Sequence, residues 1–135
     1  MVKRLSFNVR AQGLHEITGA VAAVVAESGV QDGLCTVFMQ HTSASLVIQE
    51  NADPSARRDL ESFLHRLVPE NDPAYTHTQE GPDDMPSHIK AALTATSLAI
   101  PVIEGHLGLG TWQGIYLWEH RSFSSQRNVL VYVGS

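Results

Sequence analysis

Residues 34–69 read LCTVFMQHTSASLVIQENADPSARRDLESFLHRLVP, and this stretch carries the patterns that predict the fold class. Leu34 to Gln40 is rich in β-branched and aromatic residues and predicts a strand, and Leu46 to Gln49 predicts another strand after a short connection. Asp53-Pro54 predicts the start of a helix, because aspartate caps free N–H groups and proline fits the first helical position. Apolar residues then recur every three or four positions until Pro69 ends the helix.

The flanking segments show strand and helix patterns in no regular order. Residues 3–10 alternate as a half-buried strand does, and apolar spacing from Leu14 to Ser28 predicts a helix that ends at Gly29. A further helix is predicted from Met85 to Ser97. The remaining strands are predicted over residues 98–102, 103–107, 115–119 and 128–133. We therefore predict a single α+β domain over residues 1–135, with a mostly antiparallel sheet and two or three helices.

The composition limits the class of protein. The chain has 135 residues, of which 43% are apolar and 17% charged, and this composition is that of a folded chain. Its one cysteine, Cys35, cannot form an internal disulfide, which favours the reducing cytoplasm. The first residues lack the apolar stretch of a signal peptide, and Glu16 and Glu27 bracket the most apolar run. We therefore expect no export and no membrane contact.

The charge is concentrated in one region. The formal net charge is −5, and residues 50–84 hold nine acidic and three basic groups, so that the rest of the chain sums to +1. Nucleic-acid binding normally needs a stripe of lysine and arginine, and the sequence shows none. We therefore expect no nucleic-acid partner.

Residues 77–88, HTQEGPDDMPSH, combine two histidines with three acidic residues in a loop that enters a helix. Imidazole nitrogens and carboxylate oxygens are the donors of a divalent metal site, and Gly81 with the prolines restricts the backbone that presents them. Zinc would favour His77 and His88, whereas Mg²⁺ would favour carboxylates together with substrate phosphate oxygens. The alternative is a loop whose acidic groups are simply solvated.

His41 ends a strand at the point where a buried surface meets a loop. Asn51 and Asp53 lie just past the next strand and are expected to converge on His41, which would make the three a catalytic group. Each has a structural alternative. A histidine in this position is often satisfied by the backbone, and a helix cap by itself explains Asp53.

Glu119 and the glycine-rich segment 108–114, both near the carboxyl end, each allow more than one role. Glu119 shares a face with apolar residues, so it is a general acid or base, a metal ligand, or half of an ion pair with Arg121 or Arg127. The glycine-rich segment 108–114 offers backbone N–H groups to an anion, with Thr111 and Gln113 adding side-chain hydrogen bonds. The alternative for this segment is an ordinary hairpin turn. His15, His65 and His106 are assigned to structure or surface.

Four blocks of the sequence are distinctive: His41-Thr42-Ser43, residues 50–54 (ENADP), residues 80–90 (EGPDDMPSHIK) and residues 110–117 (GTWQGIYL). Together they resemble the YjbQ family, also called UPF0047 or secondary thiamine-phosphate synthase enzymes, and the likeness runs nearly end to end. The resemblance implies a small α+β domain that forms trimers. It also implies weak thiamine-phosphate synthesis, in which a pyrimidine methyl diphosphate is joined to a thiazole phosphate and diphosphate is released.

The resemblance further implies a polar cluster that comprises His41, Asn51, Asp53, His77, Asp83, Asp84, His88, Thr111, Gln113 and Glu119. Two departures stand out. Ala44 occupies a position where the family often carries cysteine, which excludes a thiol role there, and a basic residue expected near His106 is missing.

Diphosphate departure needs positive charge, and the motif-bearing segment is negative. The sequence therefore predicts a divalent ion, zinc or magnesium, held by His77, His88 and an aspartate at 83 or 84. Lys90 and the Thr111 turn would orient a phosphorylated small-molecule substrate, Glu119 or His41 would move a proton, and subunit boundaries of a homotrimer would complete the site. The alternatives are a non-catalytic trimeric module that binds a metal or an anion, and a metal-dependent phosphoester hydrolase.

Overall fold

The strands of the chain divide between two antiparallel sheets. The computed structural model describes residues 1–123 and 125–135, and within them the elements are β1 (Val2–Val9), β2 (Gly13–Glu16), α1 (Thr18–Ser28), β3 (Gly33–Met39), β4 (Ala44–Glu50), α2 (Pro54–Leu67), α3 (Asp84–Leu93), β5 (Ser97–Ile103), β6 (His106–Leu107), β7 (Gln113–Glu119) and β8 (Ser125–Gly134). The five-stranded sheet has the order β1-β8-β3-β5-β6, and the three-stranded sheet has the order β2-β7-β4. The predicted α+β class is confirmed.

The main core lies between the two sheets and α1. Alternation in β3 buries Cys35, Val37 and Met39, while the residues between them point to the other side of the sheet. Val21, Val24 and Val25 of α1 pack into the same cluster, together with buried residues of β4 and β7. The α1 helix ends at Gly29, whose positive φ of 71° is a left-handed conformation that suits glycine.

A second, smaller core lies on the opposite face of the three-stranded sheet. Tyr116 and Trp118 of β7 pack there against Leu64 of α2, with Ile89 of α3 at the edge. This packing holds α3 over the end of β4, so that the loop before α3 meets the connection between β3 and β4. None of the helices in the described ranges has the length and apolar character needed to cross a membrane.

The prediction of a helix from Leu14 to Ser28 was wrong at its beginning. Residues 13–16 form β2 and pair with β7, with Leu14 opposite Trp118, and helical structure begins only at Thr18. Leu14 and Ile17 are buried all the same. Their spacing is compatible with both a helix and a strand, and only the available partner strand distinguishes the two.

Candidate metal site

Asp84 and His88 lie one turn apart on α3, and His77 reaches them from the preceding loop. Residues four apart share one face of a helix, so the two α3 side chains project together. Nε2 of His77 lies 2.7 Å from Oδ2 of Asp84, and Nε2 of His88 lies 3.1 Å from the same oxygen. Possible ligand atoms of the three residues all lie within 4.8 Å of one another. The structure thus brings both predicted histidines together with Asp84.

The orientation of the His88 ring is set by the backbone. Its Nδ1 lies 2.9 Å from the carbonyl oxygen of Thr42, which can only accept, so Nδ1 carries a proton. In the neutral ring Nε2 therefore presents a lone pair towards the Asp84 carboxylate. Two acceptors at 3.1 Å need a proton or a cation between them. A ring that donates one N–H to a carbonyl is also the usual arrangement of a metal-bound histidine.

Arg121 follows the last residues of β7 and holds both acidic residues at the start of α3. Its Nε donates to Oδ2 of Asp83 at 3.0 Å, and a terminal nitrogen donates to Oδ1 of Asp84. Ser122 donates to Asp83 from both its backbone N–H and its hydroxyl. These contacts use the Asp83 carboxylate, so Asp84 is the aspartate that stands with the histidines.

The carboxylates of Asp83 and Asp84 are held in their charged form. Burial by itself would raise both pKa values, but hydrogen bonds from Ser122 and Arg121 lower the pKa of Asp83 below its ordinary value. For Asp84, the contacts with His77 and His88 and the charge of Arg121 likewise outweigh burial, and the pKa is lowered. An ionised carboxylate is the form that binds a metal.

The donor set fits a transition-metal ion better than Mg²⁺. Two imidazole nitrogens and one carboxylate oxygen suit zinc and similar divalent ions, whereas Mg²⁺ prefers oxygen ligands. Three protein ligands also leave coordination positions for water or substrate, as in catalytic rather than structural zinc sites. The residues present therefore fit a zinc-like ion.

A groove of about 560 Å³ runs beside the candidate metal ligands. Phe38, Met39, Ala91 and Ala92 give it apolar walls, and His41 and His88 contribute its polar edge. The groove lies between β3 and α3, so it opens where His88 is fixed by Thr42. It is the site at which an apolar ring of a ligand would come close to the metal ligands.

His41 is a neutral hydrogen-bond donor in this structure. Its Nε2 accepts from the backbone N–H of Asn128 at 2.9 Å, so the lone pair of that nitrogen is already used. Burial lowers the pKa of His41, and the charge of Arg127 lowers it further, while Glu119 acts in the opposite direction. The proton of the neutral ring therefore sits on Nδ1, and a general-base role through Nε2 does not fit this arrangement.

The expectation that Asn51 and Asp53 converge on His41 was wrong. They follow the far end of β4, whose seven residues separate them from His41 by roughly 20 Å. Asp53 caps α2 by accepting from the N–H of Ser55, and the lowered pKa of its carboxyl follows first from that hydrogen bond and then from the Ser55 hydroxyl. Helix capping is thus the role of Asp53 in this structure, and it was the structural alternative considered for this residue from the sequence.

The Thr111 turn also lies at this far end. The backbone N–H of Asn51 donates to the carbonyl of Trp112, and Gln113 accepts from the N–H of Gly110 within its own turn. Asn51, Asp53, Thr111 and Gln113 are therefore near one another and distant from the metal ligands of the same chain. The expected joint action of the Thr111 turn and the metal on one phosphate is not brought about within a single chain.

Glu119 forms the ion pair that was one of its three predicted roles. It is fully buried, and its two oxygens accept from Nε of Arg127 at 2.6 Å and from a terminal nitrogen of Arg127 at 2.5 Å. The backbone N–H of Arg121 donates to the same carboxylate. With these partners Glu119 is neither a ligand of the His77, Asp84 and His88 group nor free to transfer a proton.

Lys90 lies on the other side of α3 from His88. Two residues along a helix correspond to a rotation of about 200°, so the two side chains point in nearly opposite directions. Lys90 faces a separate cavity that His120 and Trp118 also line, not the groove beside His88. The prediction that Lys90 acts on the same phosphate as the metal ligands does not fit a single chain, because α3 lies between them.

Sequence reasoning did not identify Arg121 as a partner of Asp83 and Asp84. A signal was present, since a charged triplet, Glu119-His120-Arg121, directly follows an apolar strand. His120, which the sequence left unassigned, is 1% exposed and hydrogen-bonds to Ser45 at 2.9 Å. Burial lowers its pKa to about 3, assisted by the charges of Lys90 and Arg127.

Comparisons with known proteins place the chain among relatives of similar length. The family model described as UPF0047 protein YjbQ-like matches residues 3–135. UPF0047 protein sll1880 of Synechocystis sp. is 57% identical over 90% of this chain and 83% of its own. UPF0047 protein YjbQ of Escherichia coli O157:H7 is 44% identical over 95% and 93%. A crystal structure of a YjbQ/UPF0047 family protein from Clostridium acetobutylicum has a TM-score of 0.85 at 38% identity, covering 96% of this chain and 99% of that one. With these matches and the fold they share, the chain belongs to the YjbQ/UPF0047 family.

Proposed function

We propose that the chain is a metal-assisted transferase that joins a pyrimidine methyl diphosphate to a thiazole phosphate and releases diphosphate, as a weak thiamine-phosphate synthase. The observation that carries the proposal is the convergence of His77, Asp84 and His88, whose possible ligand atoms lie within 4.8 Å of one another. In the neutral His88 ring, Nδ1 carries the proton that is donated to the carbonyl of Thr42. Nε2 therefore has no proton to donate to Asp84. A divalent cation held by His77, Asp84 and His88 would satisfy the lone pairs of all three.

The reaction needs cationic assistance for its leaving group. The thiazole nitrogen forms a bond to the methylene carbon, and diphosphate departs with the electron pair of the broken C–O bond. A bound divalent ion supplies positive charge to the departing oxygens. Arg121 fixes the orientation of Asp84, and Thr42 fixes that of His88, so the ligand-bearing residues are held before substrate arrives.

The groove beside the ligands supports a substrate with an aromatic ring. Its walls of Phe38, Met39 and two alanines bury an apolar ring, and Nδ1–H of His41 offers one hydrogen bond to a ring nitrogen or an oxygen. Alkylation of the thiazole nitrogen requires no proton transfer, so a neutral His41 that positions the ligand is sufficient. This differs from the proton-moving role expected from the sequence.

The metal part of the proposal is tested by elemental analysis of protein purified without chelators. We expect about one zinc-like ion per chain in the wild type and in His106→Ala, which removes an exposed histidine elsewhere. His88→Ala should contain little metal. Equal metal in both variants, or a metal-free wild type that takes up no added zinc, would contradict the proposal.

The catalytic part is tested by mixing the two substrates and measuring diphosphate release and thiamine phosphate together. Wild type and His106→Ala should turn over, and His88→Ala should lose at least about tenfold in rate. Metal binding without turnover would instead support a non-catalytic metal-binding module. Phosphate release from generic phosphoesters, without coupling, would support a metal-dependent hydrolase.

A further inference from the structure

The cavity on the far side of α3 holds a lysine that is almost completely enclosed. Lys90 is 3% exposed, and it lines a space of about 280 Å³ between α2, α3 and the end of β7. Lysine is rarely buried to this degree unless its ammonium group is paired. None of the hydrogen bonds or ion pairs found among the described residues involves Nζ of Lys90, whereas the exposed Lys3 pairs with Glu27 at 2.6 Å.

A second polar side chain in the same cavity has an unused nitrogen. His120 is 1% exposed, and its Nε2 meets the Ser45 hydroxyl, which in turn lies 2.6 Å from the hydroxyl of Thr94. The Thr94 hydroxyl also donates to the carbonyl of Lys90 at 2.8 Å, and Ser45 occupies Nε2 of His120 in either tautomer, which leaves Nδ1. That nitrogen has no partner among the described residues. Polar groups enclosed to this degree need a ligand or ordered water.

Three acidic residues lie near Lys90, and none of them accepts a hydrogen bond from its ammonium group. Glu70 and Asp83 are the acidic residues whose charges act on Lys90, yet neither accepts a hydrogen bond from its Nζ, and Asp83 is engaged by Arg121 and Ser122. Glu61 also lines the cavity, but one of its oxygens accepts from the N–H of Leu14 at 2.7 Å. Within residues 1–123 and 125–135, the Lys90 ammonium group therefore has no direct acidic partner.

We propose that this cavity binds a small oxyanion, a phosphate or carboxylate group, with the Lys90 ammonium as its principal contact. Gln12 adds a side-chain amide that already donates to the carbonyl of His120 at 2.8 Å, and Ser62 also lines the cavity. Charge-assisted hydrogen bonds of this kind are the strong ones in anion recognition. The site lies across α3 from the candidate metal ligands, and the proposal holds whether or not a metal binds there.

The wild-type chain allows a direct test because it contains only two lysines, Lys3 and Lys90. Protein grown with ¹³Cε-labelled lysine should show two Cε signals by NMR. Titration of chelator-treated protein with inorganic phosphate should shift the Lys90 signal in a saturable manner and leave the Lys3 signal in place. Movement of neither signal, or parallel movement of both without saturation, would overturn the proposal.

Matched variants, all treated with chelator to remove any metal, identify the contact by calorimetric titration with inorganic phosphate. Lys90→Met keeps the length of the side chain and should weaken phosphate binding roughly tenfold or more, whereas Lys3→Met removes the same charge and should change the affinity less than about twofold. His88→Ala should retain wild-type affinity. Binding that survives Lys90→Met, or that disappears in His88→Ala, would place phosphate elsewhere and overturn the assignment. Should Lys90→Met fail to fold, the wild-type NMR titration decides the matter.

Discussion

Glu119 and Arg127 form a buried ion pair beneath the connection between β3 and β4. Arg127 also donates to the carbonyl of Ser43, so the pair supports the backbone on which His41 and Thr42 lie. A buried pair contributes little net stability compared with apolar residues, but removal of one partner leaves an uncompensated charge. A single substitution in this pair should therefore lower the free energy of unfolding more than a double substitution that removes both charges.

Arg127→Met should lower the free energy of unfolding by about 3–5 kcal/mol, because Glu119 then remains buried without its cation. The double variant Glu119→Gln/Arg127→Met should recover part of this loss. Lys3→Met, which breaks an exposed pair with Glu27, should cost less than about 1 kcal/mol. Urea unfolding of the three variants is the measurement. Similar losses for Arg127→Met and Lys3→Met would contradict the buried-pair interpretation.

His120 should make stability depend on pH above the range in which carboxylates titrate. Burial and the nearby cations lower its pKa from 6.5 to about 3, so the folded chain keeps the ring neutral while the unfolded chain binds a proton below pH 6.5. Stability contributed by the neutral ring is present above pH 6.5 and is lost as the pH falls towards 3. Between pH 6.5 and 4.5 we expect a loss of about 2 kcal/mol from this residue.

The variant His120→Gln should flatten this part of the stability profile, measured by urea unfolding of chelator-treated protein at each pH. His106→Gln serves as the control at an exposed position and should retain the wild-type slope. The lowered pKa of His41 acts in the same direction, so a smaller slope remains in His120→Gln. A slope in His120→Gln as steep as that of the wild type would show that the buried ring is not its source.

At the scale of elements, α3 separates two chemically different environments. Its Asp84 and His88 face His77 of the preceding loop, while Lys90 faces the cavity on the other side. The α2 helix has a simpler organisation, with Leu64 buried against the smaller core and Phe63 and Leu67 largely exposed. The start of α2 therefore affects stability rather than either site.

Asp53→Ala should lower the thermal unfolding midpoint, because Ser55 loses the acceptor of its N–H and α2 loses its cap. Asp53→Asn keeps a capping oxygen and should stay close to the wild type. Metal content and turnover should be unchanged in both variants. Loss of turnover with an unchanged midpoint would instead indicate that Asp53 acts in chemistry, as the sequence first suggested.

At the scale of the whole molecule, none of the described helices covers the outer face of the five-stranded sheet. Alternation that buries one side of β3 and β8 leaves Leu34, Phe38 and Tyr132 on the other side, each 43% exposed, and Ile103 of β5 is 57% exposed. Register places Thr36 opposite Tyr132 and Phe38 opposite Leu130, so this outer face is continuous across neighbouring strands. Apolar surface of this extent favours association between chains.

We expect copies of the chain to associate through this outer face, in the trimer that the family resemblance implies. Light scattering after size-exclusion chromatography should give a native mass three times the 14.7 kDa of the chain. The double variant Leu34→Glu/Tyr132→Glu should shift the mass towards one chain, whereas Phe63→Glu on α2 should not. A monomeric wild type at micromolar concentration would contradict the expectation.

Local sequence patterns determined the class of the domain, most strand positions, the start of α2 at Asp53-Pro54 and the grouping of His77, Asp84 and His88 within twelve residues. These features depend on periodicity, on capping and on neighbours along the chain. The sequence did not determine that residues 13–16 form a strand, because their spacing suits either structure. Tertiary structure alone decided which distant groups meet: Thr42 contacts His88 across 46 positions, and Arg121 contacts Asp84 across 37. It also separated Asn51 and Asp53 from His41 by the length of β4, and it directed the Lys90 side chain into a different cavity from the groove beside His88. Strand pairing and helix orientation set these distances, and proximity along the chain does not.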